Sequence, residues 1–174
     1  MRILVLDTVD ANLKGFNPHG RYIYQIIKSI NPDADITCYK VTDDNGNCIN
    51  NHLAEGLVHG LFGGYDIINI ALGLPTMSEE VEDLLNKLSD KGVIVACASG
   101  NNVASYPAVH DKVISVGATD KEGNKTAYTM DNYDILCLGE HELDGKLLVG
   151  TSFACAYFVG LLSKGGGHNG SKET

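Results

Sequence analysis

The chain has 174 residues, 44% of them hydrophobic, which is enough to bury one core but too few for two ordinary domains. Its 22 acidic residues outnumber its 13 Lys and Arg, and phosphate backbones and anionic membrane surfaces would repel the net charge of −9. Nucleic acid and membrane are therefore not expected as partners. No apolar stretch approaches membrane-spanning length and residues 2–6 are too short a run for a signal peptide, so we predict a cytoplasmic protein.

The cysteines do not form a recognisable framework. They are odd in number, none lies in a CxxC motif, and Cys97 and Cys155 stand inside strongly apolar segments. We interpret them as reduced core thiols, in preference to a disulfide or metal framework.

Six apolar segments have the length and composition of strands. Most are nearly continuously apolar, which is typical of strands that are covered on both faces of a sheet. The strands are predicted at residues 2–7, about 35–41, 66–73, 93–98, 113–116 and 135–138.

Helical periodicity is found between these strands, and a segment after the last of them is apolar nearly all round, which predicts a buried helix. The second helix is indicated by Leu53, Leu57, Val58 and Leu61. The helices are predicted from Gly20 to Asn31-Pro32, around residues 53–61 up to Gly63-Gly64, from the cap Ser78 to Gly92, and from Ser152 to Leu162.

Strands and helices alternate, which predicts an α/β fold with a doubly wound parallel sheet and helices on both faces. Residues 1–164 would form this single domain. Residues 165–174 are Gly-rich and polar, and we expect them to be a flexible tail.

Four polar residues stand where such folds place their chemistry, beyond the carboxyl ends of the strands. Asp7 ends the first strand, His19 begins the first helix, Asn101 follows the fourth strand and Ser152 begins an apolar helix. A serine becomes nucleophilic when a histidine base, oriented by a carboxylate, takes its proton. The Ser152 N–H and the Asn101 amide could then stabilise an oxyanion. Spacing alone leaves the assignment open, since such residues also form turns and helix caps.

Five motifs, spread over about residues 3 to 163, resemble those of the subtilisin-like serine peptidases and follow that family's order. They are Val5-Leu6-Asp7-Thr8, Asn17-Pro18-His19-Gly20, the strand at 67–73, the segment 92–101 that ends in Asn101, and the segments 106–118 and 150–154 with Gly150-Thr151-Ser152. The chain is identified by this resemblance as a minimal member of the subtilase family.

The resemblance implies a serine endopeptidase that hydrolyses peptide bonds through an acyl-enzyme. Ser152 would be the nucleophile, His19 the proton shuttle, Asp7 its orienting acid and Asn101 an oxyanion donor. A peptide or protein substrate would pair as an added strand, and an inhibitor or regulatory partner is compatible with this role. The implied substrate-binding residues are Ala71, Leu72, Gly73, Ala98, Ser99, Gly100 and Ser105.

The sequence also departs from the family pattern. Only residues 8–18 connect Asp7 to His19, where the family usually inserts several tens of residues. The insertion often carries calcium loops, so we predict neither a metal nor a cofactor. Arg21-Tyr22 replaces the family's Thr-His, and Ala156 replaces its usual Pro, which changes the packing behind the site.

The short connection raises the main alternative, a pseudo-enzyme with a misplaced triad that serves as a peptide-binding module. A second alternative is a phosphoacceptor or nucleotide-binding domain, but no paired acids precede Asp7 and no glycine-rich phosphate loop is present. A third is a metal site at His52 and His59, which lie two turns apart on a predicted helix without a further ligand.

Two nearby residues are alternative candidates for roles in the site. Asn102 adjoins Asn101 and could supply the oxyanion donor in its place. Asp10 is an alternative acid, although Asp7 is the residue that ends the apolar run.

Overall fold

A computed structural model describes residues 1–15, 17–43 and 45–165. Six parallel strands form one sheet in the order β2-β1-β3-β4-β5-β6, which confirms the predicted α/β class. The strands are β1 (Arg2–Asp7), β2 (Asp35–Lys40), β3 (Ile67–Ile70), β4 (Ile94–Ala98), β5 (Ile114–Thr119) and β6 (Ile135–Leu138). The predicted tail comprises residues 165–174. Of these, residues 166–174 lie outside the described residues.

Four helices cover the two faces of this sheet, as predicted. They are α1 (His19–Ile30), α2 (Asn50–Phe62), α3 (Glu79–Asp90) and α4 (Thr151–Ser163). Because side chains alternate along a strand, Val5 packs on the face covered by α1 and α4, whereas Leu4 and Leu6 pack on the face covered by α2 and α3. None of the described helices is long and apolar enough to span a bilayer.

The order of the strands creates a crevice next to β1. The chain places β2 on one side of β1 and, after α2, places β3 on the other side. Ligands of doubly wound sheets bind at such a reversal, beyond the carboxyl ends of the strands. Asp7 is the last residue of β1 and Ala71 directly follows β3, so both lie at this crevice.

The third strand is shorter than predicted. The sequence predicts a strand over residues 66–73, but β3 ends at Ile70. Beyond it the chain leaves the sheet, and the N–H and carbonyl of Leu74 pair with Tyr106 at 2.8 and 3.0 Å. The apolar character of residues 71–73 therefore reflects a cleft wall and not a continued strand.

Val58, one of the residues whose spacing indicates α2, is 39% exposed. Leu53 and Leu57 are separated by one helical turn and lie on the buried face of α2. Val58 follows Leu57 by a rotation of about 100° around the helix, which carries it to the outer surface.

A hairpin absent from the predicted elements precedes the last helix. β7 (Glu140–Leu143) pairs antiparallel with β8 (Lys146–Val149). Asp144 and Gly145 have φ angles of 52° and 71°, the positive values that a two-residue type I′ turn requires. The Asp-Gly pair was the signal in the sequence. β8 ends at Val149, two residues before the first residue of α4.

The five cysteines are free, and Cys38, Cys97 and Cys155 are buried. Burial raises the pKa of Cys38 and Cys48 to about 12 and that of Cys137 to about 11. The pKa values of Cys97 and Cys155 are also raised by burial. All five therefore remain protonated near neutral pH, as core thiols do.

Candidate active site

The imidazole of His19 is bound by the carboxylate of Asp7. Nδ1 of His19 lies 2.9 Å from Oδ1 and 3.1 Å from Oδ2 of Asp7. Burial opposes a positive charge on the ring, but the hydrogen bond and the negative charge of Asp7 outweigh it and raise the pKa of His19. With its Nδ1 proton held by the carboxylate, His19 presents Nε2 as a proton acceptor.

The short connection between Asp7 and His19 is braced by its own hydrogen bonds. Thr8 Oγ1 donates to the carbonyl oxygen of Asn17 at 2.8 Å and accepts from the N–H of Gly20 at 3.0 Å. The N–H of His19 donates to Oδ1 of Asn17 at 2.9 Å. These bonds join the end of β1 to the start of α1, so the missing insertion does not separate the acid from the histidine.

Ser152 is the second residue of α4 and faces the crevice. Its Oγ donates to the carbonyl oxygen of Ala71 at 2.8 Å. Among the described residues, no hydrogen bond joins Ser152 to His19 in this conformation. Both side chains nevertheless line the same cleft.

Asn101 is bound to the start of α4 through its side-chain oxygen. Oδ1 accepts from the N–H and from Oγ1 of Thr151, both at 3.1 Å. Since an N–H can only donate, this contact identifies the oxygen, and Nδ2 at the other end of the amide remains as a donor. The N–H of Ser152 lies in the first helical turn, where no intrahelical acceptor exists. Asn101 and Ser152 line the same cleft, so the Asn101 amide and the Ser152 N–H are two donors that can stabilise a negative oxygen there.

The two alternative residues have other contacts. The carboxylate of Asp10 accepts two backbone N–H groups within its own turn, at 2.8 and 3.0 Å. The N–H of Asn102 donates to the carbonyl oxygen of Tyr128 at 2.7 Å. The structure therefore places Asn101 in the cleft lining and the buried Asp7 against His19.

Phe153 is a neighbour of the site that the sequence pattern did not single out. Its ring centroid lies 5.5 Å from that of His19, with an angle of 43° between the planes, and the residue is only 8% exposed. The sequence signal was its position directly after Ser152. The contact itself depends on how α4 packs against α1, which local patterns do not specify.

Most of the residues predicted to bind substrate line one cleft of about 450 Å³. A Cβ on Gly73 would lie 2.6 Å from Ser105 Oγ, so the serine fills the space between the cleft walls. The lining includes Ala71, Leu72, Gly73, Ala98, Gly100 and Ser105.

Ser99 does not belong to this lining, contrary to the expectation from the resemblance. Its side chain is fully buried, and its Oγ has no hydrogen-bond partner among the described residues. Its N–H donates to the carbonyl of Val116 at 3.0 Å, and its carbonyl accepts from Asn132 at 3.2 Å. Side chains alternate along an extended segment, so Ala98 at the end of β4 faces the cleft while the side chain of Ser99 faces inward.

His59, one of the two histidines that the sequence suggested as metal ligands, has other partners. His59 Nε2 lies 3.1 Å from the hydroxyl of Tyr65, and its ring stacks on Tyr39 with the centroids 5.1 Å apart. Within the described part of the chain, no group of three or more His, Cys, Asp or Glu is arranged to hold a metal ion.

Known proteins share both the sequence pattern and the fold. The alkaline protease of Alkalihalobacillus alcalophilus and subtilisin BL of Lederbergia lenta are each 31% identical over 159 aligned positions, covering 74% of this chain. The chain spans 42% of the first and 59% of the second. The structure of the prenylagaramide maturation protease PagA matches with a TM-score of 0.82 and 22% identity, covering 94% of this chain and 74% of that one.

A further similar structure is the protease domain of PatA, with a TM-score of 0.80 and 21% identity over 93% of this chain and 78% of that one. At such identities the structures show a common fold. The sequence profile of the Subtilase family of peptidases (S8) matches residues 10–161, well over half of the chain. Since the profile and the fold agree, the chain belongs to the subtilase family.

Proposed function

We propose that this chain is a serine endopeptidase that hydrolyses peptide bonds through an acyl-enzyme. The observation that carries this function is the 2.9 Å contact between His19 and Asp7 in a cleft that also contains Ser152. Membership of the subtilase family supports the same reaction. Asp7, His19 and Ser152 would form the triad, and Asn101 would complete the oxyanion hole.

Acylation begins when a substrate carbonyl enters beside Ser152. The hydroxyl leaves the carbonyl of Ala71, Oγ bonds to the substrate carbon, and its proton moves to Nε2 of His19. Asp7 stabilises the imidazolium that results. The Asn101 amide and the Ser152 N–H donate to the oxyanion, and collapse of the tetrahedral species breaks the carbon–nitrogen bond as His19 protonates the departing amine.

Deacylation repeats these steps with water. His19, again neutral, takes a proton from the water as its oxygen bonds to the ester carbon. Collapse of the second tetrahedral species returns the proton to Ser152 Oγ and releases the carboxylic acid.

Substrate recognition would use the main chain of the cleft wall. Residues 71–73 have left the sheet, and their backbone borders the cleft. An extended peptide can therefore pair with them as an added strand. The carbonyl of Ala71 is occupied by Ser152 Oγ in the free protein, so a substrate N–H that binds this oxygen would also release the nucleophile.

We further propose that the substrates are peptides or proteins of the cytoplasm. The net charge of −9 favours partners other than nucleic acid or anionic membrane. PagA and a lanthipeptide protease are among the similar structures, so precursor peptides of these two kinds belong among the first substrates to be tested.

Digestion of peptides tests the proposed function. The purified chain should cleave internal bonds of casein or of a precursor peptide, as read by mass spectrometry of the new termini. Ser152→Ala should lower turnover by about 10⁴-fold or more, whereas Ser29→Ala, which alters an exposed serine on α1, should not. Equal activity of Ser152→Ala would contradict the function. A folded parent that binds peptides without cutting them would instead be a peptide-binding module.

A further inference from the structure

Asn50 forms hydrogen bonds to the residues that follow the cleft wall, the segment 71–75 that lines the cleft. It is the first residue of α2, and its Nδ2 donates to the carbonyl oxygen of Thr76 at 3.2 Å. Its Oδ1 accepts from the N–H of Ser78 at 2.9 Å. These partners are 26 and 28 positions away in sequence, so the contacts join two loops and do not cap the helix that begins at Asn50.

The same wall is held at two other points. At the near end, the carbonyl of Ala71 accepts from Ser152 Oγ. In the middle, Leu74 forms two backbone hydrogen bonds with Tyr106. Residues 72, 73 and 75 line the cleft between these points and Asn50, so Asn50 supplies the last side-chain restraint before α3.

One amide side chain satisfies both loops because it carries a donor and an acceptor. Ser78, which Asn50 binds through its N–H, is also the N-cap of α3 and accepts from the N–H of Val81. Leu53 of α2 and Val81 of α3 belong to one apolar cluster. Loss of the amide should therefore loosen residues 72–78 while the two helices remain packed.

We propose that Asn50 is a positioning residue for substrate recognition, which sets residues 72–75 in the register that an extended peptide requires. This role rests on the proposed peptidase function. At 3.2–3.4 Å per residue, the wall from Ala71 to Pro75 can pair with about four substrate residues. Since Ala71 lies at the nucleophile and Pro75 is distant from it, Asn50 should matter most for substrate residues remote from the scissile bond.

A length series of substrates tests this role. Acetyl-(Ala)n-p-nitroanilides with n from one to four would be compared for the parent, Asn50→Ala and the matched control Asn51→Ala, whose side chain is exposed next to Asn50. For n of four, Asn50→Ala should raise KM by about tenfold, the effect of losing one to two net hydrogen bonds, with kcat within about twofold. For n of one, KM should change by less than about twofold. Asn50→Asp, which keeps the acceptor for Ser78, should recover part of the loss.

An equal change in KM at every length, or none at any length, would overturn the role of Asn50. Hydrogen exchange of the amides of residues 72–78 gives a second readout that does not need catalysis. Asn50→Ala should exchange faster than the parent in this segment, and Asn51→Ala should not. A parent that cleaves no peptide would contradict the peptidase function, while unchanged exchange in Asn50→Ala would separately contradict the positioning role.

Discussion

The two sides of the proposed active site are prepared to different extents. On one side, His19 already contacts Asp7 at 2.9 Å, and Thr8 and Asn17 brace the connection between them. On the other side, Ser152 Oγ donates to a main-chain oxygen and not to the histidine. The proposed base is therefore positioned by the fold, whereas the proposed nucleophile has to leave the carbonyl of Ala71 before it can react.

This difference shows which features a short connection between Asp7 and His19 can omit and which it keeps. The connection between Asp7 and His19 has lost the length typical of the family but keeps a closed hydrogen-bond network. The Ser152 side keeps the helix start and the Asn101 contact. We expect substitutions on the two sides to have effects of different kind and size.

Asp7→Asn should have the largest effect, because an amide can donate to Nδ1 and favour the wrong tautomer of His19. We expect kcat to fall by about 10⁴-fold. Neutral His19 is the active base, so activity falls as the pH drops through its pKa, which Asp7 raises. Without that charge the pKa falls, and the acid limb of the kcat/KM profile should move to lower pH.

Asp10→Asn is the matched control, since it retains the oxygen that accepts within its turn. Its pH profile should overlay that of the parent. If the acid limb of the kcat/KM profile were the same in Asp7→Asn as in the parent, the contact between Asp7 and His19 would not control the pKa of His19.

Asn101→Leu tests the nucleophile side and should lower kcat by about 10²- to 10³-fold with KM little changed. Asn101→Asp would keep an acceptor for Thr151 but remove the donor, so it should be impaired as severely. Thr151→Val removes only the hydroxyl contact to Asn101 and serves as control. Full activity of Asn101→Asp would exclude Nδ2 as an oxyanion donor.

Gly15→Ala tests the bracing of the short connection. A Cβ at this position would collide with the main-chain oxygen of Thr8, which is next to Asp7. We expect the free energy of unfolding to fall by about 1–3 kcal/mol and kcat/KM to fall by up to about 10²-fold, as the histidine moves relative to its acid. Lys14→Ala, an exposed change in the same loop, should match the parent in chemical denaturation and in turnover. A stable and fully active Gly15→Ala protein would refute the need for this close approach.

Phe153→Leu should have the smallest effect, about tenfold on kcat, because it removes the ring beside His19 but keeps an apolar side chain. An aromatic ring within about 6 Å favours a positive charge, so its loss should also shift the acid limb slightly to lower pH. Phe158→Leu on the same helix controls for general loosening of the core. Identical pH profiles for the two variants would assign Phe153 to packing alone.

Much of the fold could be predicted because apolar runs and hydrophobic periodicity can be read from short stretches of sequence. The β1 bounds at residues 2–7 and the β6 bounds at residues 135–138 agree with their apolar runs. Asp7 and His19, which the structure brings into contact, could be proposed as site residues because each stands at the end of such an element. The 66–73 strand was too long, since an apolar run does not show whether it lies in a sheet or along a cleft.

The remaining features depend on contacts between distant parts of the chain. Ser152 Oγ meets the carbonyl of Ala71 across 81 positions, and Asn50 meets Thr76 across 26. Neither contact leaves a periodic signal. Ser99 was misplaced for a related reason, since the resemblance gave a segment and only the backbone shows which side chains of that segment face the cleft.

Labelling with a fluorophosphonate tests the central claim most directly, because the probe phosphonylates an activated serine with loss of fluoride. The parent should carry a single adduct on Ser152, located by mass spectrometry of its peptides. The adduct should be absent from Ser152→Ala and form much more slowly in Asp7→Asn. An adduct on another serine, or none on folded parent protein that still binds peptides, would contradict a working triad of Asp7, His19 and Ser152.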